Sequence, residues 1–499
     1  MDMQILSAAF SLVADPTVIL VVIASACYGL FIGCMPGLSA TMGTALLVPL
    51  TFFLPPIPAI AAIITASAMA IFAGDIPGAL LRIPGTPASA AYVAESHSMT
   101  LKGKAGTALG ASLWFSVLGG LVGSAVMIGL SQPLAEVAIN FSSFEYFWLV
   151  MLGLMAAAFV STGSTVKSLI MLIIGLTVSC VGLNNPAGIP RYTFGSTDLM
   201  GSLGLIPIMV GLFAISEVLR TVSVPMKDPA PAAVVLGKPF REMWALTKKF
   251  KWNFFRGSLT GTALGLQPGA GPDMAAYISY SVSKKLSKEP EKFGTGHVEG
   301  IVEAGSANNS ALSGAWIPTV VFGIPGDTIT AIAIGVLFMK GINPGPMIFV
   351  NNPQDIYAIF MIFILANLLM LPLGWMTIKL AGNILKVPSR VLVPIIVSLC
   401  IVGAFAINNS LFDIGVILVF GIFGYLMEEN DFPLAPLVLG VVLGPMLELN
   451  FIASLMKADG NLLMFITRPV AGALAAVTTI LVVYSIISAI RTTRRVRPV

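Results

Sequence analysis

The sequence carries little charge for its length. Of its 499 residues, 10% are Asp, Glu, Lys or Arg and 57% are hydrophobic, and the mean hydropathy is +0.93. Soluble proteins carry about 25% charged residues, so this composition excludes a water-exposed surface of ordinary size. Apolar runs at 357–378 and 470–490 have about the 20 residues that a helix needs to cross the hydrocarbon core. We therefore predict an all-α polytopic membrane protein with about 10–14 membrane segments.

Cysteine and histidine are also scarce. The four cysteines lie in apolar surroundings without CxxC spacing, which predicts small buried hydrophobic residues rather than a disulfide or a metal set. The two histidines, His97 and His297, are too far apart in the sequence to suggest a metal site. The chain lacks HExxH, GxSxG and GxxxxGK(S/T) motifs, so neither an intramembrane hydrolase nor ATP-driven transport by this chain alone is indicated. We expect no cofactor and no structural metal.

Glycine and proline, by contrast, interrupt the apolar sequence twice in the same way. The pattern G-x-x-x-G-x-x-P-G occurs at 29–37 and again at 261–269. A Pro-Gly pair does not continue a helix, because proline lacks the amide hydrogen and glycine costs backbone order. Inside a bilayer such a break is tolerated only where protein or a water-filled cavity satisfies the freed backbone groups. Matching breaks in two halves are typical of a transporter binding site.

Two further features recur in the same order. The pattern Ile-Pro, five residues, Ile-Pro-Gly occurs at 76–85 and 317–326, and a Lys-Gly pair follows at 102–103 and 340–341. The copies of the three features are offset by 232, 241 and 238 residues. Three recurrences in one order indicate an internal duplication.

Basic residues form a few clusters, and the net charge of +4 indicates topology rather than nucleic-acid binding. The basic segments 220–256 and 284–292 flank 257–283, so both ends of that stretch are expected in the cytoplasm. With Pro-Gly in its middle, the stretch is predicted to be a re-entrant hairpin whose arms of about a dozen residues each span about 18 Å. The equivalent stretch 18–51 has no Lys or Arg on either flank. We therefore predict two inverted-topology repeats.

The predicted organisation has five parts. They are an N-terminal lead-in (1–16), a first membrane repeat (17–220), a cytoplasmic linker (221–256), a second membrane repeat (257–490) and a basic cytoplasmic tail (491–499). The lead-in has neither a basic n-region nor a small-residue cleavage site, so we expect no cleaved signal.

Helix breaks supply the groups that bind ions. A helix N-terminus carries about half a positive charge, which suits a substrate carboxylate, and a C-terminus about half a negative one, which suits sodium. Nearby hydroxyls and amides would complete the coordination. The predicted substrate-binding residues are Pro36, Gly37, Ser39, Thr41, Pro84, Gly85, Thr86, Pro268, Gly269, Gly271, Asn308, Asn309, Ser310, Pro325, Gly326, Asp327 and Thr328. The predicted ion-binding residues are Asp75, Ser89, Asn308, Asp327 and Thr330.

Each of these residues also has a structural interpretation. Gly-Pro pairs in membrane helices often form packing kinks, and Ser and Thr mostly bond their own preceding turn. Paired amides such as Asn308 and Asn309 are costly at membrane depth unless they are used. Asp75 either binds an ion, a proton or a substrate, or forms a structural ion pair with Arg82, seven residues away on one helical face.

At these motifs the sequence resembles the large membrane subunit of the tripartite tricarboxylate transporters, the TctA family. The resemblance extends from about Tyr28 to the last helix. It rests on Pro36-Gly37, Ile83-Pro84-Gly85, Lys102-Gly103-Lys104-Ala105-Gly106, Ser306-Ala307-Asn308-Asn309, Ser313-Gly314-Ala315 and Gly323-Ile324-Pro325-Gly326. It implies a bacterial inner-membrane subunit that imports tri- or dicarboxylates with an ion gradient, usually sodium. It also implies two partners, a small four-helix membrane subunit and a periplasmic solute-binding protein.

The sequence departs from the family pattern beside the presumed site. The family often has a small or hydroxyl residue at the position of Asp75, an amide at Arg82, Glu at Gly305 and serine at Asp327. These differences leave the identity of the carboxylate and of the coupling ion open.

We therefore expect a multi-pass permease subunit with a cytoplasmic C-terminus, working by an elevator or a rocking motion, and not an enzyme. Three alternatives remain. One is a stand-alone ion-coupled carboxylate carrier. Another is an intramembrane enzyme, for which Asp75, Asp327 and both histidines would have to converge. The third is a channel or scaffold subunit, which accumulation of substrate driven by an ion gradient would exclude.

Overall fold

The regular structure of this chain is helical. The computed structural model describes residues 3–160, 164–183, 185–223, 239–385 and 389–495. Within these ranges the one strand-like feature is an isolated antiparallel bridge between Gly182 and Arg191. The prediction of an all-α protein is confirmed.

Twenty-five helices follow one another along the described chain. Their bounds are α1 Met3–Val13, α2 Pro16–Cys34, α3 Ala40–Thr51, α4 Pro56–Ala73, α5 Asp75–Leu81, α6 Pro87–Ala90, α7 Val93–Leu101, α8 Ala105–Ala138, α9 Ser143–Val160, α10 Thr165–Ser179, α11 Thr197–Met200, α12 Leu205–Val210, α13 Ser216–Ser223, α14 Pro239–Lys249, α15 Lys251–Gly265, α16 Gly271–Leu286, α17 Val298–Phe322, α18 Thr328–Met339, α19 Ile348–Asn351, α20 Pro353–Ile384, α21 Ser389–Asn408, α22 Leu411–Glu429, α23 Leu434–Lys457, α24 Met464–Thr467 and α25 Pro469–Arg495. A π-helical stretch, Gly211–Ile215, joins α12 to α13.

Seven stretches of the described helices are long and apolar enough to cross a membrane. They are Pro16–Cys34, Pro56–Leu81, Ala105–Ala138, Leu205–Ser223, Pro353–Ile384, Leu411–Glu429 and Leu434–Lys457. Seven shorter apolar helices accompany them, among them α3 and α18. A helix satisfies its own backbone hydrogen bonds, and the hydrocarbon core of a membrane offers no other partners for them. The protein is therefore a multi-pass membrane protein.

Both Pro-Gly pairs separate helices, as their chemistry predicts. In the first half α2 ends at Cys34 and α3 begins at Ala40, after the N-cap Ser39, whose hydroxyl accepts a backbone hydrogen bond from the first turn. In the second half α15 ends at Gly265 and α16 begins at Gly271. Helices α15 and α16 pack against each other and against α17, the arrangement expected of a helical hairpin.

The internal duplication is visible in the helix packing. Helix α2 packs on α4 in the first half, and α15 packs on α17 in the second. At both interfaces two glycines let the backbones approach so closely that an added Cβ would collide with a carbonyl oxygen of the partner helix. The facing pairs are Gly29–Ala66 and Gly33–Ala70 in the first half and Gly261–Ala307 and Gly265–Ala311 in the second. Equivalent residues of the two halves therefore make equivalent contacts.

The second pair of breaks lies at Ile-Pro-Gly rather than at the preceding Ile-Pro. The prolines at 77 and 318 lie within α5 and α17, which continue to Leu81 and Phe322. Each helix then ends at a residue with left-handed backbone, Arg82 with φ 62° and Gly323 with φ 70°. For arginine this conformation is uncommon, because the Cβ crowds the backbone. The helices before this second break thus end in the same way in the two halves.

The helices after these breaks also begin alike. Thr86 caps α6 and Asp327 caps α18, each through a capping box with the residue three positions on, Ser89 or Thr330. The side chain of each cap accepts a backbone N–H, and the partner hydroxyl accepts the N–H of the cap. The breaks are therefore ordered helix starts.

Each predicted segment has residues outside the described ranges, and the longest such stretch is 224–238 of the linker, while 496–499 belong to the tail. Within the predicted linker, α14 covers Pro239–Lys249 and α15 begins at Lys251. Helical structure of the second half therefore starts before residue 257. The membrane sides of the segments, and the inversion of the repeats, stay predictions.

Candidate functional site

The break segments of both halves meet around one cavity of about 370 Å³. Its lining includes residues 39–41 and 86–88 from the first half and 269–274 and 327–329 from the second. The helix Leu205–Ser223 and the stretch from Glu428 to the start of α23 complete it. The cavity thus lies where the duplicated motifs come together.

Four helices begin at this cavity in the break segments, and α23 also begins there. Helices α3, α16 and α18 are 12, 16 and 12 residues long, and the fourth, α6, is a single turn. The first turn of a helix has backbone N–H groups without partners in the helix and about half a positive charge. The cavity therefore has a backbone lining that favours an anion.

Polar contacts tie the two halves together across the cavity. The hydroxyls of Thr41 and Thr328 lie 3.1 Å apart, and the Ala88 amide donates to a carboxylate oxygen of Asp273 at 3.0 Å. These contacts join the start of α3 to that of α18, and the start of α6 to that of α16. Each of these two contacts therefore joins a helix start of the first half to a helix start of the second half.

Two carboxylates line the cavity among these helix starts. The side chain of Asp273, in the first turn of α16, is exposed there. Asp327 is 6% exposed, and its Oδ1 accepts hydrogen bonds from the amide and the hydroxyl of Thr330 at 2.7 and 2.6 Å. A Cβ added to Gly271 would lie 2.7 Å from the Cβ of Asp327, so the two segments are in close contact. The anion-favouring backbone thus shares the cavity with two acidic side chains.

A cluster of charged residues also borders the cavity. The guanidinium of Arg220 pairs with Glu217 at 3.3 Å, Glu428 at 3.1 Å and Glu429 at 3.5 Å. Arg220, Glu217 and Glu428 line the cavity. Since one cation faces three carboxylates, the ionised cluster carries a net negative charge and adds to the field of Asp273.

The structure brings some of the predicted substrate-binding residues to the cavity and leaves others behind it. The predicted residues in the lining are Ser39, Thr41, Thr86, Gly269, Gly271, Asp327 and Thr328. The remaining residues of the four breaks lie between helices and outside the lining, namely Pro36, Gly37, Pro84, Gly85, Pro268, Pro325 and Gly326. Among them, the Gly326 carbonyl accepts from the Gly269 amide at 2.8 Å. Ser89 and Thr330 act in the capping boxes.

The asparagine run lies elsewhere. Asn308, Asn309 and Ser310 are buried in the middle of α17 and do not line the cavity. The Ser310 hydroxyl donates to the Ala307 carbonyl of its own helix, and the Asn309 amide contacts the sulfur of Met370 at 3.3 Å. The cavity and the asparagine run are therefore separate.

Asp75 lies near Asn308 rather than in the cavity lining. It accepts hydrogen bonds from the hydroxyls of Tyr92, at 2.6 Å, and Ser112. None of the ion pairs in the described chain joins it to Arg82, whose side chain is exposed. The expected alternative of a structural Asp75–Arg82 pair is not what the structure has. No group of three or more His, Cys, Asp or Glu suited to a metal ion occurs among the residues described.

The comparison with known families agrees with this architecture. Residues 19–439 match the tripartite tricarboxylate transporter TctA family. The chain belongs to the TctA family. TctA proteins are the large subunits of tripartite tricarboxylate transporters, so this TctA protein is a membrane transport component. The resemblance drawn from the sequence motifs is confirmed.

Two relatives of this TctA protein come from Agrobacterium vitis. An uncharacterized 52.8 kDa protein in the TAR-I ttuC′ 3′ region is 34% identical over 469 residues, covering 93% of this chain and 92% of the relative. An uncharacterized protein in the TAR-II ttuC′ 3′ region is 37% identical over 234 residues, covering 47% of this chain and 97% of the relative. No solved structure matches the chain significantly.

Sequence reasoning missed several residues of the TctA cavity. Asp273 directly follows the Gly-Ala-Gly-Pro segment, and an acid at the start of an apolar helix was the available signal. Glu217 and Arg220 are spaced as an i, i+3 pair, which a charge search would find. Glu428 gives no such signal, because its partner Arg220 is 208 residues away.

Proposed function

We propose that this TctA protein is the permease subunit of an ion-gradient-driven secondary transporter that imports a di- or tricarboxylate together with sodium. A small four-helix membrane subunit and a periplasmic solute-binding protein would complete the transporter, in the bacterial inner membrane. The observation that carries the proposal is the meeting of the four helix starts of the breaks with the carboxylates of Asp273 and Asp327 in one cavity between the duplicated halves.

The helix starts support the carboxylate. Backbone N–H groups at an N-terminus bind carboxylate oxygens without the desolvation cost of a buried lysine or arginine. The hydroxyls of Ser39, Thr41, Thr86 and Thr328 lie among these amides and offer further donors. A cavity of about 370 Å³ falls at the lower end of the range for small-molecule sites, about 300–1,000 Å³.

The two acids support a coupling cation. The starts of α3, α16, α18 and α23 supply roughly +2 of partial charge, which the two carboxylates of Asp273 and Asp327 cancel when ionised. The ionised cluster around Arg220 adds further negative charge. A di- or trianion entering alone would then bring roughly −2 or −3 of uncompensated charge into a site of low dielectric constant, at a cost of several kcal/mol. A cation bound with the substrate removes that cost. The substrate and the ion would therefore bind together, which is the condition for symport.

The position of the cavity supports alternating access. Each half contributes two of the four helix starts, so a movement of one half against the other would open the site to either side. An elevator or a rocking motion would satisfy this requirement.

Uptake into proteoliposomes tests the proposal. Radiolabelled di- and tricarboxylates are supplied to vesicles that contain this chain, with and without the small subunit and the binding protein. The gradient is sodium, protons or none. Accumulation that requires the full set and a sodium gradient is the expected result. Absence of transport for every carboxylate under every gradient would exclude the substrate class.

The same experiment decides between the proposal and the stand-alone carrier. Accumulation by this chain alone, at the rate of the full set, would replace the binding-protein-dependent transporter by an independent carrier. Accumulation under a proton gradient without sodium would show that the coupling ion is the proton instead of sodium.

A further inference from the structure

We propose that Asp75, Tyr92, Ser112 and Asn308 form a buried binding site for an alkali cation, separate from the central cavity. Sodium is the ion to test first. The site joins the start of α5, the residue before α7, the first quarter of α8 and the middle of α17. It therefore contains residues from both halves of the chain.

The four side chains form one connected polar cluster. The Tyr92 hydroxyl donates to Asp75 Oδ1 at 2.6 Å, and the Ser112 hydroxyl donates to Asp75 Oδ2. The Asn308 side-chain amide reaches the Tyr92 hydroxyl at 3.5 Å. The exposed fractions are 2% for Asp75, 1% for Tyr92, 2% for Ser112 and 0% for Asn308. The cluster is thus sealed from solvent.

The carboxyl of Asp75 has no positive partner. None of the ion pairs formed by the described residues includes it. A buried carboxylate without a counter-charge costs many kcal/mol, and two hydroxyl donors offset only part of that cost. The group therefore requires either a proton or a bound cation.

The number of free acceptors favours the cation. The Asn308 Oδ1 atom is buried without a hydrogen-bond partner, and so is the hydroxyl of Ser116, one helical turn from Ser112. A proton on Asp75 would add one donor and leave these oxygens unsatisfied. A hard cation takes several oxygen ligands at once from carboxylates, amides and hydroxyls. The composition of the cluster fits that requirement.

The site is joined to one wall of the central cavity. Asp75 follows Gly74, whose carbonyl accepts the Gly85 amide at 3.0 Å. Thr86, which follows Gly85, lines the cavity and caps α6. A cation on Asp75 would hold Tyr92, α8 and α17 against this break, and would thereby fix the position of one helix start of the substrate site.

Direct binding of radioactive sodium to the purified full-length chain tests the site without substrate or partner subunits. The expected result is saturable binding whose affinity falls by about tenfold or more in Asp75→Asn. Glu291→Gln, which removes an exposed surface acid, should retain this binding. Because no transport is measured, the result stands apart from the test of the proposed function.

A second variant covers the case in which Asp75→Asn does not fold. Asn308→Leu replaces the amide, whose Oδ1 has no hydrogen-bond partner, by an apolar group of similar size. If Asn308 takes no part in cation binding, the variant should bind sodium with the affinity of the parent, whatever its stability. The cation site predicts instead a sodium affinity lowered by about tenfold and a loss of the rise in Tm on exchange of choline chloride for sodium chloride.

Two results would overturn the inference. One is sodium binding of unchanged affinity and stoichiometry in both Asp75→Asn and Asn308→Leu. The other is a parent protein whose Tm responds to pH and not to sodium, with Asp75→Asn more stable than the parent, since that result would assign a proton to Asp75.

Discussion

Substitution of Gly271 by alanine should disable the central cavity without unfolding the protein. Gly271 has φ +54°, in the left-handed region, where a residue with a Cβ costs about 1–2 kcal/mol. Its added Cβ would also lie 2.7 Å from the Cβ of Asp327 and 3.2 Å from its Oδ2. Carbon atoms in contact are about 3.5–4.0 Å apart, so Asp327 would have to move by about 1 Å.

Gly341 offers a matched control. It has φ +72°, and an added Cβ there has nothing within 4 Å. Gly341→Ala therefore carries the same conformational cost of about 1–2 kcal/mol but displaces no cavity residue. The difference between the two variants isolates the displacement of Asp327 from backbone strain.

The assay is the initial rate of gradient-driven uptake across a range of substrate concentrations, per reconstituted protein. A shift of about 1 Å in a positioned group can change activity by up to about a hundredfold. We expect kcat/KM to fall at least about tenfold, or about 1.4 kcal/mol, in Gly271→Ala relative to Gly341→Ala. Equal uptake by the two variants would refute the role given to the Asp327 segment.

Two further predictions concern packing and the contact between the halves. Gly33→Ala and Gly265→Ala should each lower the free energy of unfolding by about 1–3 kcal/mol, because each added Cβ meets a carbonyl of the facing helix. The controls Gly129→Ala and Gly382→Ala also lie in helices but have open space at the Cβ, so they should not lower the free energy of unfolding. Destabilisation by only one of Gly33→Ala and Gly265→Ala would contradict equivalent packing in the two halves. For the Thr41–Thr328 contact, a double-mutant cycle of Thr→Val changes on uptake should give a coupling of about 0.5–1.5 kcal/mol, and additive effects would show that the contact does not matter.

The helix breaks were predictable from sequence because their chemistry is local. Proline and glycine act on the residues next to them. The Pro-Gly pairs at 36–37 and 268–269 therefore predict the ends of α2 and α15 without any knowledge of tertiary contacts. The duplication further predicted that the breaks form one site. In the structure, segments from all four breaks line one cavity. Capping at Thr86 and Asp327 was equally local.

Residues whose contacts are distant in sequence could not be predicted in this way. Asp273 bonds the amide of Ala88, which is 185 residues away, and no local pattern announces that contact. The position of Asn308 is a similar case. The asparagines of α17 precede the helix end at Phe322 by more than ten residues, and Asn308 contacts Tyr92 instead of lining the cavity. The packing of α17 against α8 and α15 places it there.

The central claim is that carboxylate and cation bind together in the cavity around Asp273. The most direct test is the sodium dependence of uptake by Asp273→Asn, which removes the charge while keeping an oxygen to accept the Ala88 amide. The control is Glu291→Gln, which removes an exposed acid outside the cavity. We predict that the sodium concentration for half-maximal uptake rises by about tenfold or more in Asp273→Asn and stays unchanged in the control. An unchanged sodium dependence in Asp273→Asn, at normal substrate affinity, would contradict the account.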